Sequence, residues 1–358
     1  MSIVLMILQV VLIMGLLIFF HEAGHFLASR AVGIPVEEFG FGYPPRLAKI
    51  GEWKGTEITL NWIPFGGFVH IHGEGDETIE DGMALAPAWK RLVILFSGPL
   101  MNFIIGLIIL IVIFSAMGVP ASDQALVSQV SEGSPALAAG FEVGDIVTTV
   151  NDIRITGIEH LIEVINAHVG QEITVVVDRE GETVTMNLIP RVDPPAGEGA
   201  MGIGLTNPLK PMPFFQSVGY AFQSTGLIIK ETILLPGRLI SGAVDPALAR
   251  PIGYKGIFDV YTWAVEQDTE STLTTAEPLP INTLSIIANI SISLGIANLL
   301  PIPALDGGRI LFTLPELLFK KRIPQKWQNA VNTVCFMLLI GLMVFVTVLD
   351  FTNPIVLP

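Results

Sequence analysis

The sequence predicts a polytopic α-helical membrane protein with four transmembrane helices, a membrane-associated β-hairpin and an inserted α+β domain. Apolar residues make up 51% of the 358 residues and the mean hydropathy is +0.63, values too high for an ordinary soluble protein. An uncharged run at residues 3–20 covers most of a bilayer. Uncharged stretches at residues 92–119, 278–305 and 327–349 can each cross about 30 Å of hydrocarbon. These four runs are the predicted transmembrane helices.

The charge distribution sets the expected orientation of these helices. The net charge is −14, with 20 acidic and 8 basic residues between positions 119 and 284, whereas residues 27–91 and 309–326 carry 11 of the 19 Lys and Arg residues. By the positive-inside rule these two basic connections face the cytoplasm of a multi-pass inner-membrane protein, so both termini and the acidic insert are expected to be extracytoplasmic. The excess of acidic residues argues against a nucleic-acid partner, and the lipid bilayer is the expected partner instead. The single cysteine, Cys335, excludes an intrachain disulfide.

The first apolar run leads directly into His21-Glu22-Ala-Gly-His25. On a helix, the imidazoles at positions i and i+4 project from one face and can share a metal ion, while the Glu22 carboxylate lies beside the open position of that metal. The motif therefore predicts two zinc ligands, His21 and His25, and a general base, Glu22. No Lys or Arg precedes the run and no small-residue cleavage site follows it, so we expect it to be retained rather than removed as a signal peptide.

A solvated polar stripe is the alternative interpretation of this motif, because His-Glu-x-x-His also occurs by chance in soluble helices. The membrane setting favours the metal interpretation. Each ionisable group at hydrocarbon depth costs about 2.5–3.5 kcal/mol on insertion scales, so three within five residues require a compensating partner. We therefore expect one zinc ion per chain, with its site toward the cytoplasmic side of the membrane.

A zinc ion held by two histidines needs a third protein ligand and leaves the fourth position to water. The best candidate is Asp306, which follows Pro301 and Pro303 near the predicted end of the third transmembrane helix. Both prolines break the helix and allow Asp306 to turn inward on the same membrane side as His25. An aspartate in a turn with the two following glycines is the alternative role of this residue.

Residues 57–71 alternate apolar and polar side chains in two short runs around a break at Pro64 and two glycines, which predicts a β-hairpin. Its high apolar content indicates that it lies against or within the membrane beside the zinc, where an open edge offers a template for another strand. An ordinary cytoplasmic hairpin is the alternative. His70 and His72 are expected at its outer end rather than as ligands.

Four regions follow along the chain. Residues 1–118 hold the first two transmembrane helices, residues 194–277 a linker with an amphipathic or interfacial helix at 214–240, and residues 278–358 the last two transmembrane helices. Residues 120–193 form a compact α+β insert. Its predicted strands are at 125–130, 146–150, 153–155, 173–178 and 183–188, and its predicted helices are at 135–139 and 158–168.

These motifs together resemble the site-2 protease family of intramembrane zinc metalloproteases. The resemblance rests on the HEAGH motif, Asn-x-x-Pro-x-Pro-x-Leu-Asp-Gly at 298–307, Gly-Pro-x-x-Asn at 98–102, Gly-Gly-Phe-Val at 66–69, and Ser-Pro-Ala-x-x-Ala-Gly with Gly-Asp-x-Ile in the insert. It is closest to the bacterial regulator-of-sigma-E protease branch with a single extracytoplasmic PDZ domain, so the insert is expected to be PDZ-like. Residues 200–280 match less clearly, apart from Arg250-Pro-Ile-Gly.

The resemblance implies that His21, His25 and Asp306 are the metal ligands, that Glu22 is the catalytic carboxylate and that Asn298 helps to position the substrate. The implied substrates are single-pass membrane proteins, anti-sigma factors among them, or remnant signal peptides. A C-terminal peptide is the implied ligand of the PDZ-like insert. The hairpin is implied to present the substrate as an added strand, with the contacts expected at Ile58, Leu60, Gly66, Gly67, Phe68 and Val69.

Two other functions compete with proteolysis. A membrane scaffold could bind partners through the insert and keep a vestigial metal site, but such a scaffold has no use for Glu22. A transporter with a broken third helix is the other alternative, and no inverted repeat is visible in the sequence.

Overall fold

The computed structural model describes residues 2–195, 197–244, 251–275 and 279–354, and of residues 65 and 270–275 it describes the backbone only. The chain divides into two compact units, one formed by Met1–Ile113 with Val218–Pro358 and the other by Phe114–Ser217. In chain order, the described helices and strands are α1 (Ile3–Ala31), β1 (Val36–Trp53), β2 (Thr56–Ile71), α2 (Ala88–Met117), β3 (Val119–Pro120), β4 (Ala125–Val130), α3 (Pro135–Ala139), β5 (Ile146–Val150), β6 (Ile153–Arg154), α4 (Ile158–Asn166), β7 (Ile173–Arg179), β8 (Glu182–Leu188), β9 (Ile203–Thr206), β10 (Leu209–Lys210), α5 (Phe214–Ile240), α6 (Tyr254–Thr275), α7 (Ile281–Leu299), α8 (Asp306–Phe319) and α9 (Gln325–Thr352).

Within the described residues, four helices are long and apolar enough to cross a membrane, namely α1, α2, α7 and α9. They coincide with the four apolar runs of the sequence prediction and confirm that each forms a helix long and apolar enough to cross a membrane. The first continues past its apolar run, so the His21 motif lies inside it. The third ends at Leu299, earlier than predicted, because Pro301 has no N–H group with which to continue the helix. Its predicted start at residue 278 lies outside the described residues, as do residues 355–358.

β1 and β2 form the sheet of the first unit and are joined by a turn at Lys54 and Gly55. The prediction of a self-contained hairpin over residues 57–71 is wrong in its pairing. The two halves of that segment are separated by residues 38–41 of β1, which pair with both. The alternation of side chains identified extended backbone correctly, but a strand from further upstream occupies the centre of the sheet.

The register gives this sheet four neighbouring segments. Residues 67–70 pair with residues 38–41 in opposite order, and residues 57–60 pair with the same residues 38–41 on their other side. Residues 48–53 then pair with residues 57–60. Among the segments described, 67–70 and 48–53 are therefore the two edges of the sheet, and 57–60 lies in its interior.

The second unit is built on a six-stranded sheet with the order β8-β7-β5-β4-β9, and β6 pairs with β5. The strands and helices predicted for the insert are confirmed to within two residues. The insert does not end at residue 193 as predicted, because β9 pairs with β4 and completes the sheet. Its core is formed by buried apolar side chains that include Val127, Val147, Leu161, Ile173 and Val175.

The predicted linker at residues 194–277 contains two long helices. α5 has the predicted bounds, whereas α6 was not predicted because charged and polar residues interrupt its apolar pattern. Arg250, the start of the Arg-Pro-Ile-Gly match, and residues 276–277 lie outside the described part of the chain.

Carboxylates join α6 to two of these apolar helices, α7 and α9. Asp350 of α9 accepts a hydrogen bond at 2.8 Å from the backbone N–H of Gly253, just before α6. Asp268 of α6 accepts one at 2.9 Å from the backbone N–H of Thr283, in the first turn of α7. Because the first N–H groups of a helix have no partner within the helix, these carboxylates stabilise both helix starts.

Candidate metal centre

Three buried side chains converge in the first unit. The Nε2 atoms of His21 and His25, one turn apart on α1, lie 3.2 Å from each other. Oδ2 of Asp306, on α8, lies 3.0 Å from Nε2 of His21 and 3.3 Å from Nε2 of His25. Among the described residues, these three side chains form the group that could hold a metal ion.

The three atoms have the spacing that a zinc ion requires. A tetrahedral site with metal–ligand distances of about 2.0–2.1 Å places neighbouring ligand atoms roughly 3.3–3.4 Å apart. Two imidazoles and a carboxylate are also a ligand set that zinc uses in hydrolytic sites, with one position left for water. His21, His25 and Asp306 therefore fit a zinc ion in both chemistry and spacing.

Helix α2 contacts both histidines. Nδ1 of His25 donates a hydrogen bond to the backbone carbonyl of Ile94 at 2.7 Å, so its Nε2 keeps a lone pair for a metal. Nδ1 of His21 lies 3.1 Å from the side-chain amide of Asn102. Between these contacts lies Gly98, where a Cβ atom would be 2.3 Å from Nε2 of His25. Any side chain at this glycine would fill the space in which the ligand atoms meet.

Asp306 reaches the histidines from the first turn of α8, rather than from the end of the third transmembrane helix as predicted. The connection before it is irregular, with Ala304 at a φ of 80° and its N–H donating to Oδ1 of Asn332 at 3.0 Å. Gly307 follows, and a Cβ there would be 2.2 Å from the carbonyl oxygen of Leu300. The glycine allows the chain to fold back closely enough for the carboxylate to reach α1.

Glu22 lines a cavity of about 440 Å³ that also contains the three converging side chains. It is not one of the three, so its carboxylate remains available to accept a proton. Gly67 of β2 lies against it, since a Cβ there would be 3.2 Å from Cβ of Glu22. A zinc site, a neighbouring carboxylate and a cavity large enough for a peptide segment can together perform hydrolysis.

The edge segment 67–70 runs along this cavity. Among the described strands its backbone is paired on one side only, by β1, so its other side can pair with an additional strand. Four residues for which the sequence predicted substrate contacts line this cavity: Gly67, Phe68, Val69 and Asn298.

Three other predicted residues lie elsewhere in the sheet. Ile58 and Leu60 belong to the interior segment 57–60, which is paired on both sides, so the expectation that they contribute to an open edge is wrong. Gly66 packs against α1, where a Cβ would be 2.5 Å from Cγ2 of Ile18. Its role is close packing of the sheet on the helix.

His70 and His72 lie at the end of β2 and contact Glu37, at 3.2 and 2.6 Å respectively. Neither belongs to the group that could hold a metal among the described residues.

Charged residues that the sequence did not indicate also surround the site. Arg309, one turn after Asp306, lines the cavity and forms an ion pair with Glu74 at 2.6 Å. The sequence signal for Arg309 was its position three residues after Asp306, which puts both side chains on the same side of a helix. Arg91 of α2 forms an ion pair with Glu316 of α8, and no sequence signal joins two residues 225 positions apart.

Comparisons with known proteins match the chain over this whole region. The model of peptidase family M50 matches residues 9–342, which include both histidines and Asp306. The chain is 33% identical to Cj1068, a candidate zinc metalloprotease of Campylobacter jejuni subsp. jejuni, over 97% of this chain and 93% of that protein. It is 27% identical to the zinc metalloprotease RasP of Bacillus licheniformis, over 94% of this chain and 96% of that protein. The chain is therefore a metalloprotease and belongs to peptidase family M50.

Proposed function

We propose that this metalloprotease cleaves transmembrane segments of single-pass membrane proteins, or remnant signal peptides, in regulated intramembrane proteolysis. The observation that carries the proposal is the position of its metal ligands. His21 and His25 lie inside α1, a helix apolar enough to cross the bilayer, and Asp306 approaches them soon after α7 ends. A site whose two histidines lie inside such a helix suits substrates that are themselves in the bilayer. Anti-sigma factors are the substrate class that the family resemblance implies.

In this proposal His21, His25 and Asp306 hold one zinc ion. When bound, zinc supplies a Lewis acid that polarises a peptide carbonyl and lowers the pKa of water. Glu22 takes a proton from the attacking water as the new carbon–oxygen bond forms, and it delivers that proton to the amine nitrogen as the carbon–nitrogen bond breaks. Asn298, which lines the same cavity, helps to hold the peptide groups of the substrate.

The edge segment 67–70 receives the substrate in this proposal. A transmembrane helix engages its carbonyl groups in its own hydrogen bonds, so a helical substrate must unwind before it can be attacked. Pairing with the open edge would replace the lost hydrogen bonds by those of an added strand. The close approach of Gly67 to Glu22 puts such a strand beside the general base.

The decisive experiment combines cleavage with zinc content. Purified protein should cleave a single-pass substrate, and a chelator should stop cleavage. Glu22→Gln should keep about one zinc ion per chain and lose turnover, whereas alanine at any of the three ligands should lower bound zinc. His70→Ala is the matched control and should change neither. Full activity of Glu22→Gln, or cleavage that resists the chelator, would refute the mechanism and favour a scaffold with a vestigial site.

The charge asymmetry supports an orientation within this proposal. We place both termini and the second unit outside the cytoplasm, and the zinc site toward the cytoplasmic side of the inner membrane. A cysteine introduced at Asp76 should then react with an impermeant probe only from the cytoplasmic side, and one at Glu180 only from outside. Reversed labelling would overturn this orientation.

We also propose that the second unit is PDZ-like and binds a C-terminal peptide. An edge strand beside a helix is the arrangement that captures extended peptides, and β9 is an edge of its sheet. An apolar groove of about 560 Å³ runs between α4 and this part of the chain. Its lining includes Ile158, Ile162, Ile165, Met201, Ile203 and Leu205.

This groove has a direct test. Ile162→Asp should weaken the binding of free-acid peptides to the full protein, because it places a charge among apolar groups. Ile189→Asp, at an exposed residue outside the groove lining, is the control. Unchanged peptide binding in Ile162→Asp would exclude the groove as the binding site.

A further inference from the structure

One face of α2 carries residues that contact the metal ligands. Ile94, Gly98 and Asn102 are spaced by four residues, so they lie one above another along the helix. The carbonyl of Ile94 accepts from His25, Gly98 leaves room for the ligand atoms, and Asn102 meets His21. This face of α2 therefore contacts both histidines of α1.

The contact between Asn102 and His21 has two proton arrangements, of which one suits a metal. If Nδ2 of Asn102 donates to Nδ1 of His21, the imidazole proton is on Nε2 and faces Asp306, 3.0 Å away. A metal ligand needs the lone pair of Nε2, which requires the proton to be on Nδ1. The amide must then present Oδ1 as an acceptor, and a half-turn of the amide group achieves this without movement of the backbone.

Asn102 is buried at a position where its side-chain amide can make this half-turn. It is fully buried, and Ser291 of α7 donates a hydrogen bond from its hydroxyl to the Asn102 backbone carbonyl at 2.8 Å. Its Oδ1 atom is also buried and has no hydrogen-bond partner among the described residues. A buried acceptor without a donor is unfavourable. The Nδ1–H of a metal-bound His21 would supply the donor that this oxygen lacks.

We propose that Asn102 is a positioning residue of the metal centre. It selects the tautomer of His21 in which Nδ1 carries the proton, and it fixes the ring so that Nε2 faces the zinc ion. Asn102 touches no reacting atom and acts only through His21. The inference rests on the ligand set of the proposed function, so zinc retention and cleavage are measured separately.

The test compares Asn102→Leu, which has a similar size and no acceptor, with Asn102→Asp, which keeps an acceptor. Zinc affinity of the purified full chain is measured by competition with a chelator, and the absorption bands of bound Co²⁺ report the ligand geometry. We expect Asn102→Leu to weaken zinc affinity about 10- to 100-fold and to alter the Co²⁺ spectrum. Asn102→Asp should bind zinc at least as tightly as the wild type, because a carboxylate accepts the same N–H.

The matched control is Asn289→Leu. Asn289 is exposed on α7 and donates to the carbonyl of Ser285 in its own helix, so the same substitution there should leave zinc affinity unchanged. Equal affinity of Asn102→Leu and the wild type would overturn the inference. An equal loss in the Leu and Asp variants would also overturn it, because it would assign Asn102 to packing alone.

Two further variants keep the outcomes distinct. If Asn102→Leu does not fold, Asn102→Ala replaces it in the comparison with Asn102→Asp, and the same two results decide. His21→Ala is measured in parallel. Loss of zinc in His21→Ala with normal affinity in the Asn102 variants would refute this inference alone, whereas normal zinc binding in His21→Ala would refute the ligand set itself.

Discussion

Arg91 of α2 and Glu316 of α8 form an ion pair in which the arginine is buried, with 6% of its surface exposed. Arg322 also donates to Glu316, from Nε to Oε2 at 2.9 Å. Because α8 carries Asp306 and α2 contacts both histidines, this pair links the helix that supports the histidines to the helix that carries the third ligand. Its energetic value depends on the buried arginine, which has little access to water.

Glu316→Gln should therefore be far more harmful than Arg322→Met. The first variant leaves the buried Arg91 charge without its partner, which costs about 3–5 kcal/mol, whereas the second leaves the buried pair intact and should cost about 1 kcal/mol or less. Thermal unfolding and zinc content are the measurements. The double variant Glu316→Gln with Arg91→Met should recover part of the loss, and a double variant no more stable than Glu316→Gln would disprove the buried-charge explanation.

Gly98→Ala should abolish zinc binding with little change elsewhere. The added Cβ would lie 2.3 Å from Nε2 of His25, and the backbone of a closely packed helix cannot move aside easily. The control is Gly341→Ala on α9, where, apart from the adjoining stretch of its own helix, no atom of the described residues lies within 4 Å of the added Cβ. Metal analysis of both purified variants checks the prediction. Normal zinc content in Gly98→Ala would show that the ligand atoms do not meet beside this glycine.

Val69→Pro should reduce cleavage of helical substrates and leave zinc content unchanged. His72 donates its N–H to the carbonyl of Pro35 at 3.0 Å, and N–H directions alternate along a strand, so the N–H of Val69 points away from β1. Proline there removes a donor from the open edge without breaking a bond within the sheet. Cleavage rate and zinc content are measured on the same preparation.

Proline on the opposite edge provides the comparison for this prediction. Ile50 lies in segment 48–53 and is exposed, so Ile50→Pro alters an edge that does not line the cavity. It should leave cleavage unchanged. Equal cleavage by both variants and the wild type would mean that substrates do not pair with segment 67–70.

Asp145 should make the stability of the second unit depend on pH. Burial would raise the pKa of this carboxyl group, but hydrogen bonds from Arg179, at 2.7 and 2.8 Å, and from the backbone N–H of Glu142 outweigh it and hold the pKa below its usual value. A lowered pKa in the folded state adds stability that is fully present above the unfolded pKa of about 3.9 and is lost as the pH falls through the folded value.

Hydrogen exchange of the β5 and β7 amides in the full protein measures this effect. At neutral pH, Asp145→Asn should exchange faster than the wild type, and the difference should shrink below about pH 4. The control is Asp178→Asn, because the carboxylate of Asp178 on β7 is more exposed than that of Asp145. A difference between Asp145→Asn and the wild type that does not vary with pH would exclude a role for ionised Asp145.

Local motifs of the site were predictable from the sequence, and so was Asp306 from its proline-flanked motif, whereas the other long-range contacts were not. His21, His25 and Glu22 form a motif within one helix, and the strands of the insert follow from alternation and turn residues. The order of the sheet beside the cavity depends on residues 38–41, whose place between two later segments is set by tertiary packing. The edge was therefore assigned partly to Ile58, which lies in the interior.

For the residues that support the metal ligands, the sequence likewise indicated local spacing but not long-range contacts. The spacing of Ile94, Gly98 and Asn102 was readable as one helix face, but the sequence does not say which neighbour that face meets. The pairing of Arg91 with Glu316 could not be found at all, because no local pattern connects residues on separate helices. Helix α6 was missed because its packing, rather than its apolar periodicity, stabilises it.

The hydrogen bond from Gly253 to Asp350 constrains the order in which the nascent chain can assemble. Asp350 is synthesised 97 residues after its partner, so the start of α6 lacks this cap until α9 has been made. α6 in turn carries Asp268, which caps α7, the helix that precedes the third metal ligand. A nascent chain that lacks α9 should therefore lack the cap at the start of α6, the helix whose Asp268 stabilises the helix before the third metal ligand.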